Sequence, residues 1–223
     1  CLIERHESFI KQTYRNRMII PTTNGPLALT IPTNHDISLS MKDIRISDHA
    51  NWRHVHWNAL LSAYGESPFF EYYQDDIRPF YEKKYEFLFD FNMETTQKMI
   101  ELLDIRPKIS VTAEYFLKSE GSNHACSADC KSAETPTETE LGGRRESQFN
   151  SPEAQAQFNI QHSTFNTPIK DFREAIRPKK PLPDAEFAPK RYYQVYGQKH
   201  GFQPNMSILD LLFNEGNEAI FYL

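Results

Sequence analysis

The chain has 223 residues, of which 30 are acidic and 25 are basic, giving a formal charge of -5. This acidic excess argues against a general nucleic-acid binder, which usually carries a basic surplus. No apolar run approaches the roughly 18 residues that a membrane-spanning helix needs. Three cysteines in a chain of this length do not indicate a disulfide framework. We therefore expect a cytoplasmic protein without a membrane span.

The first 46 residues predict short strands. Extended segments are expected at 2–10, 27–31 and 37–46, the second of them after the turn signal Asn24-Gly25-Pro26. Because the sequence is already strand-like at Cys1, we expect that residues upstream of Cys1 are missing.

Aromatic residues concentrate between positions 52 and 91, which hold 13 of the chain's 29 aromatics, including both tryptophans. Their bulk predicts that this segment organises the core. A helix is expected over 50–64, with Ser47 or Asp48 as its N-cap.

Further helices are expected in the same part of the chain and just after it. One starts at Ser67-Pro68 and is interrupted by Pro79. Another covers 94–103 with Asn92 as its cap, and a strand over 109–116 follows.

The composition changes after Lys118, where few large apolar residues occur. We interpret 119–163 as a disordered insertion, because such a segment cannot bury enough surface to offset its ordering entropy. It would separate a first core part, 1–118, from a C-terminal core part, 164–223. The latter contains a proline-rich basic arm at 177–181, a predicted strand at 192–196 and a helix over 207–214 that begins on Ser207.

These elements together predict an α/β fold with a mixed sheet, flanking helices and a single domain. An α+β arrangement is the alternative.

Two polar residues accompany the apolar stripe of the 50–64 helix. On a helical wheel, Trp52, Val55, Ala59 and Ala63 share a face, with His56 inside that arc and Arg53 at its edge. A buried histidine is either a satisfied core residue or a neutral base, and both interpretations remain open. In the second case, His56 and Arg53 are the candidate catalytic residues.

A basic cluster precedes the second strand. Lys11, Tyr14, Asn16 and Arg17 combine cations, an amide and an aromatic ring within seven residues, which suits a phosphate or a carboxylate ligand. A solvated surface turn is the alternative.

A third constellation, His124, Cys126 and Cys130, has a loose zinc-like spacing. It lacks a convincing fourth ligand and lies in the predicted insertion, so we predict no metal site. No phosphate-binding glycine loop or nucleophile elbow occurs either, and the cofactor remains undefined.

Three separated motifs resemble the WbqC-like protein family. They are Lys11-x-x-Tyr14-x-Asn16-Arg17-x-x-Ile20 followed by Leu29-Thr30-Ile31-Pro32, the 52–64 helix, and the segment from Ser207 to Gly216. The resemblance covers about residues 1–117 and 165–223. Members usually begin with a further strand and helix bearing a Pro-x-Tyr-x-Pro-like motif that this chain lacks. Tyr14 stands where the family often has tryptophan.

The resemblance implies an association with bacterial surface-polysaccharide (O-antigen) genes, while the family's activity is poorly defined. It favours a transferase that acts on a nucleotide-activated or amino sugar. Lys11 and Arg17 would then hold a diphosphate, Asn16 would bind the ligand and His56 would act as base. The competing hypothesis is a non-catalytic binding or scaffold protein that uses the 177–181 arm, and the oligomeric state is undefined.

Overall fold

The computed structural model describes residues 1–34, 39–115, 170–173, 175–178 and 188–223. Its strands are β1 (Leu2–Ile3), β2 (Arg17–Thr22), β3 (Gly25–Thr30), β4 (Thr33–Asn34), β5 (Arg45–Ile46) and β6 (Ser110–Val111). Its α-helices are α1 (Trp52–Tyr64), α2 (Phe70–Ile77), α3 (Pro79–Glu82), α4 (Leu88–Leu102), α5 (Gly197–His200) and α6 (Ile208–Glu215). Short 3-10 helices cover Met41–Asp43, His49–Asn51 and Gly216–Tyr222.

The predicted mixture of helices and strands in one fold is confirmed. Among the described residues, however, the strands form three two-stranded sheets instead of one: β1 with β6, β2 with β3, and β4 with β5. Only the first of these pairs is parallel. Outside the hairpin each strand has two residues, so neighbouring loops and helix starts take over the backbone pairing. The Ile46 amide, for example, donates to the Glu86 carbonyl at 2.9 Å.

The β2–β3 hairpin is the main strand pair, and its turn chemistry explains its position. Gly25 has φ +102°, a conformation that glycine adopts without a Cβ penalty. The Thr22 hydroxyl donates to the Gly25 carbonyl at 2.7 Å and closes the turn. Ile20 and Leu29 from the two strands are buried, so one face of the hairpin belongs to the core.

Helix α1 confirms the predicted 50–64 helix with a later start and a different cap. The N-cap position of α1 is occupied by Asn51, which is in a left-handed conformation, so neither Ser47 nor Asp48 caps this helix. The predicted buried face is also partly wrong. Val55 is 55% exposed, whereas Trp52, Ala63 and His56 are buried as expected.

The helix after α3 departs from expectation at its start. As predicted, Pro79 separates α2 from the following helix, but α4 begins at Leu88, so Asn92 lies inside it and is not its cap.

The predicted strand at 2–10 shrinks to Leu2–Ile3, and within 37–46 only Arg45–Ile46 is a strand among the described residues. Residues 192–196 form no strand. Helix α6 begins as predicted, with the Ser207 hydroxyl accepting from the Leu209 amide.

Two hydrophobic clusters form the core. The first joins the hairpin to α1, α2 and α6 through large buried side chains such as Leu60, Tyr64 and Phe213. The second surrounds Trp52 and Leu88. Tyr81 packs against both clusters and therefore connects them. The proposed insertion at 119–163 lies outside the described residues, and the three-part division of the chain stays a prediction.

Gly216 offers a test of this packing. It has φ +58°, and an added Cβ would lie 2.8 Å from the Phe69 ring. We expect Gly216→Ala to lower the free energy of unfolding by about 2–4 kcal/mol, from backbone strain together with overpacking. Urea unfolding measures this loss. Gly201→Ala is the matched control, since Gly201 has φ +71° but open space around it. Equal losses in the two variants would contradict the role of the Phe69 contact.

Candidate functional site

A pocket of about 440 Å³ lies between the hairpin and helix α4. Its wall also receives His56 from α1, Phe80 and Tyr81 from α3, and the start of α6. This volume falls in the range of small-molecule sites in proteins.

Helix α4 contributes one continuous face to the pocket. The lining positions are 91, 92, 95, 96, 99, 100 and 103, which recur about every four residues and so share one side of the helix and its C-terminal end. The polar members of this face are largely satisfied elsewhere. The Thr95 hydroxyl donates to the Phe91 carbonyl at 2.8 Å, and the Asn92 amide donates to the Arg15 carbonyl at 2.8 Å. Hydrocarbon therefore dominates this wall.

Two arginines on the opposite side differ in their charge balance. Arg15 makes a two-pronged ion pair with Glu7, with both N–O distances 2.7 Å. Arg17 donates through Nε to the Thr30 hydroxyl at 3.0 Å, and no carboxylate in the described part of the chain forms an ion pair with it. Among the described residues, Arg17 is thus a cation of the pocket that has no acidic partner.

Asn16, between these arginines, is buried and held in one orientation. Its side-chain Nδ2 donates to the Ile31 carbonyl at 3.0 Å, and its main-chain carbonyl accepts from the Ile31 amide at 2.8 Å. Its Oδ1 is buried and has no hydrogen-bond partner among the described residues. A buried acceptor without a donor is costly, which makes this oxygen a candidate ligand contact.

His56 is enclosed by aromatic rings at the inner end of the site. Its ring centroid lies 5.1 Å from that of Trp52 and 6.2 Å from that of Tyr81. Burial lowers the pKa of His56 to about 4, against an opposing hydrogen bond with the Thr30 backbone. The imidazole is therefore neutral at neutral pH, as a base must be before it accepts a proton.

The structure brings four of the six predicted site residues together. Tyr14, Asn16, Arg17 and His56 all line the pocket. Lys11 is exposed and outside the lining.

Arg53 also lies outside the lining. Its guanidinium pairs with Asp48, donates to the Lys83 carbonyl and sits 4.8 Å from the centre of the Trp52 ring. These contacts are those of a residue that fixes the start of α1.

Arg17 and Tyr14 also line a second, wider depression of about 920 Å³ beside the described part of the proline-rich arm. The two residues therefore stand where the pocket meets this depression.

The structure also contains a buried carboxylate, Asp210, that was not among the predicted site residues. It accepts hydrogen bonds from the Tyr192 hydroxyl at 2.6 Å and the Gln194 amide at 2.8 Å. Burial raises the pKa of Asp210, against these hydrogen bonds. Burial, assisted by the Asp210 charge, likewise raises the pKa of Tyr64. The available signal was the position of Asp210 as the single polar residue of the apolar run 208–213.

The zinc-like constellation His124, Cys126 and Cys130 lies outside the described residues. Within the described ranges, no three histidine, cysteine, aspartate or glutamate side chains are grouped so that they could hold a metal ion. Those ranges also contain no helix with the length and apolarity needed to cross a membrane.

A family model described as the WbqC-like protein family matches residues 2–171 and 184–222. This chain belongs to the WbqC-like protein family. It is also 27% identical over 218 residues to the "Uncharacterized protein Rv1507c" of Mycobacterium tuberculosis, covering 96% of this chain and 83% of the relative. No solved structure matches it significantly.

The buried imidazole of this WbqC-like protein predicts a pH dependence of stability. Because the pKa of His56 is about 4 when folded and near 6.5 when unfolded, the unfolded state binds the proton first. Stability is therefore fully present above about pH 6.5 and declines as the pH falls toward 4. We expect a loss of about 2 kcal/mol from this residue between pH 7 and pH 5.

Urea unfolding at both pH values measures that loss, and His56→Gln should reduce it. His54→Gln is the control, because His54 is exposed on the same helix. If wild type and His56→Gln lose equal stability on acidification, His56 is not the neutral buried group described above.

Proposed function

We propose that this WbqC-like protein is a group-transfer enzyme that acts on a nucleotide-activated or amino sugar in bacterial surface-polysaccharide (O-antigen) biosynthesis. The observation that supports it is the convergence of Tyr14, Asn16, Arg17 and His56 on one pocket. The polysaccharide context comes from the family resemblance alone, and the substrate class joins that resemblance to the chemistry of these four residues.

Each residue takes a role that its surroundings permit. Arg17 holds the anionic part of the substrate, because its guanidinium has donors to spare and no acidic partner in the described ranges. Tyr14, 37% exposed, offers a ring face to a sugar or a base.

Asn16 Oδ1 accepts a hydrogen bond from a hydroxyl or amino group of the substrate. Because this oxygen is enclosed, a ligand reaches it only if a lining side chain moves. His56, neutral and buried, takes the proton from the attacking hydroxyl or amine of the sugar as that atom bonds to the transferred group; the bond between this group and its donor breaks, and the donor leaves with the bonding electrons. Lys11 and Arg53 stay predicted site residues without a contact in the pocket.

Binding is tested by calorimetry with a panel of nucleotide-sugars and Arg17→Ala. We expect about 10- to 100-fold weaker binding than wild type for the sugar that binds best, which corresponds to losing hydrogen bonds to a charged group. The melting temperature should change little, since Arg17 is partly exposed. Lys42→Ala is the control and should bind as wild type, because Lys42 is an exposed cation outside the pocket lining. Failure of every nucleotide-sugar to bind wild type would overturn the proposed substrate class.

The alternative, a non-catalytic binding or scaffold protein, is favoured by the enclosure of His56 among aromatic rings. The two candidates differ in turnover. Mass spectrometry after incubation with a bound sugar and a group donor should show a modified sugar with wild type, and much less with His56→Gln at unchanged affinity. Tight binding without any product would favour the alternative.

A further inference from the structure

The hydrocarbon content of the pocket is larger than a sugar nucleotide requires. Seven of its lining side chains are both apolar and buried: Leu29, Ile31, Ile77, Phe80, Phe91, Leu103 and Leu209. Sugars and phosphates gain little from such surfaces, whereas an alkyl chain gains free energy with each methylene that leaves water.

The polar groups of the site are not spread evenly over this surface. Tyr14, Asn16 and Arg17 belong to one short segment, and the α4 wall opposite presents mainly the carbon atoms of Phe91, Met99 and their neighbours. The site therefore has its cationic group in the 14–17 segment and an apolar surface that extends from Leu29 and Ile31 of the hairpin side to the carbon atoms of α4. This is the arrangement of a site for a molecule with an anionic head and an apolar chain.

We propose that the pocket binds an acyl group, whose hydrocarbon chain lies along the α4 wall while Arg17 holds the anionic head of the same molecule. This inference rests on the proposed function and names the apolar part of its ligand. The volume of about 440 Å³ equals on the order of fifteen water molecules at their liquid volume, which is ample for a medium-length chain.

The satisfied polar groups of the wall support this assignment. Thr95 uses its hydroxyl on its own helix and Asn92 donates its amide to Arg15, so neither needs a ligand hydroxyl. Thr96 is the remaining hydroxyl of this wall, so most hydroxyl groups of a sugar in this half of the pocket would lack partners, at a cost for each one.

The experiment is a chain-length series on the full chain. Calorimetry with butanoate, hexanoate, octanoate and decanoate should give affinities that rise by up to about fourfold per methylene until the pocket is filled. Arg17→Ala should weaken all four carboxylates by a similar factor and leave the length dependence unchanged. A flat dependence on chain length would overturn the proposal.

Met99 allows the chain to be located. It is partly buried on the α4 face, so larger and smaller side chains are accommodated more easily there than in the deep core. Met99→Trp should weaken decanoate at least tenfold and spare butanoate, whereas Met99→Ala should favour the longer chains. Ile100→Trp replaces Met99→Trp if the latter lowers the melting temperature strongly. Equal effects on all chain lengths would place the chain elsewhere and contradict the proposal.

The outcome separates this inference from the proposed function. If nucleotide-sugars bind and the carboxylates show no length dependence, the acyl subsite fails while the sugar-transfer proposal stands. If the length dependence is present and no nucleotide-sugar binds, the acyl subsite stands and the proposed sugar substrate fails.

Discussion

The pairing of Asn16 with Ile31 is the constraint on which the pocket depends. Main-chain and side-chain bonds from one asparagine grip both polar groups of the Ile31 backbone. This double attachment fixes the loop before β2 against the end of β3. Because Asn16 is fixed, the side chains of the two neighbouring arginines point in different directions. Arg15 bonds Glu7, and Arg17 bonds the hairpin and lines the pocket. A side-chain amide is suited to this position because it donates to the Ile31 carbonyl without carrying a charge into the core, while the main-chain carbonyl of Asn16 accepts from Ile31.

The C-terminal half depends on a second buried polar group, Asp210. Around it, Tyr192, Gln194 and Asn214 supply donors, and Gln194 also bonds the backbone of Gln203 in both directions. The irregular segment before α6 is thereby attached to the helix without a strand ladder. Residues 192–196 have aromatic and β-branched content but no partner strand among the described residues, and Tyr192 and Gln194 bond Asp210 instead.

The parts of the fold that sequence anticipates are those with a local physical cause. Periodicity and a proline stop define α1 and α2, and Ser207 caps α6 through its own hydroxyl. Helical periodicity also placed His56 in the buried arc of α1, where it contacts the rings of Trp52 and Tyr81. The exposure of Val55, predicted on the same face, has no local cause, since Val55 is the more hydrophobic residue. Likewise, tertiary contacts of α4, and not its composition, bring its regular face to the loop at 14–17.

Several residues belong both to the hydrophobic core and to the pocket wall, and this overlap affects folding. Leu29, Leu103 and Leu209 are at once members of the first hydrophobic cluster and parts of the pocket wall, while Tyr81 touches both clusters and the same space. The pocket therefore lies within the core and not on its surface. Side chains around such a space have fewer packing partners than a filled interior would give them. Any molecule that occupies it becomes part of the hydrophobic core and shifts the folding equilibrium toward the native state by mass action.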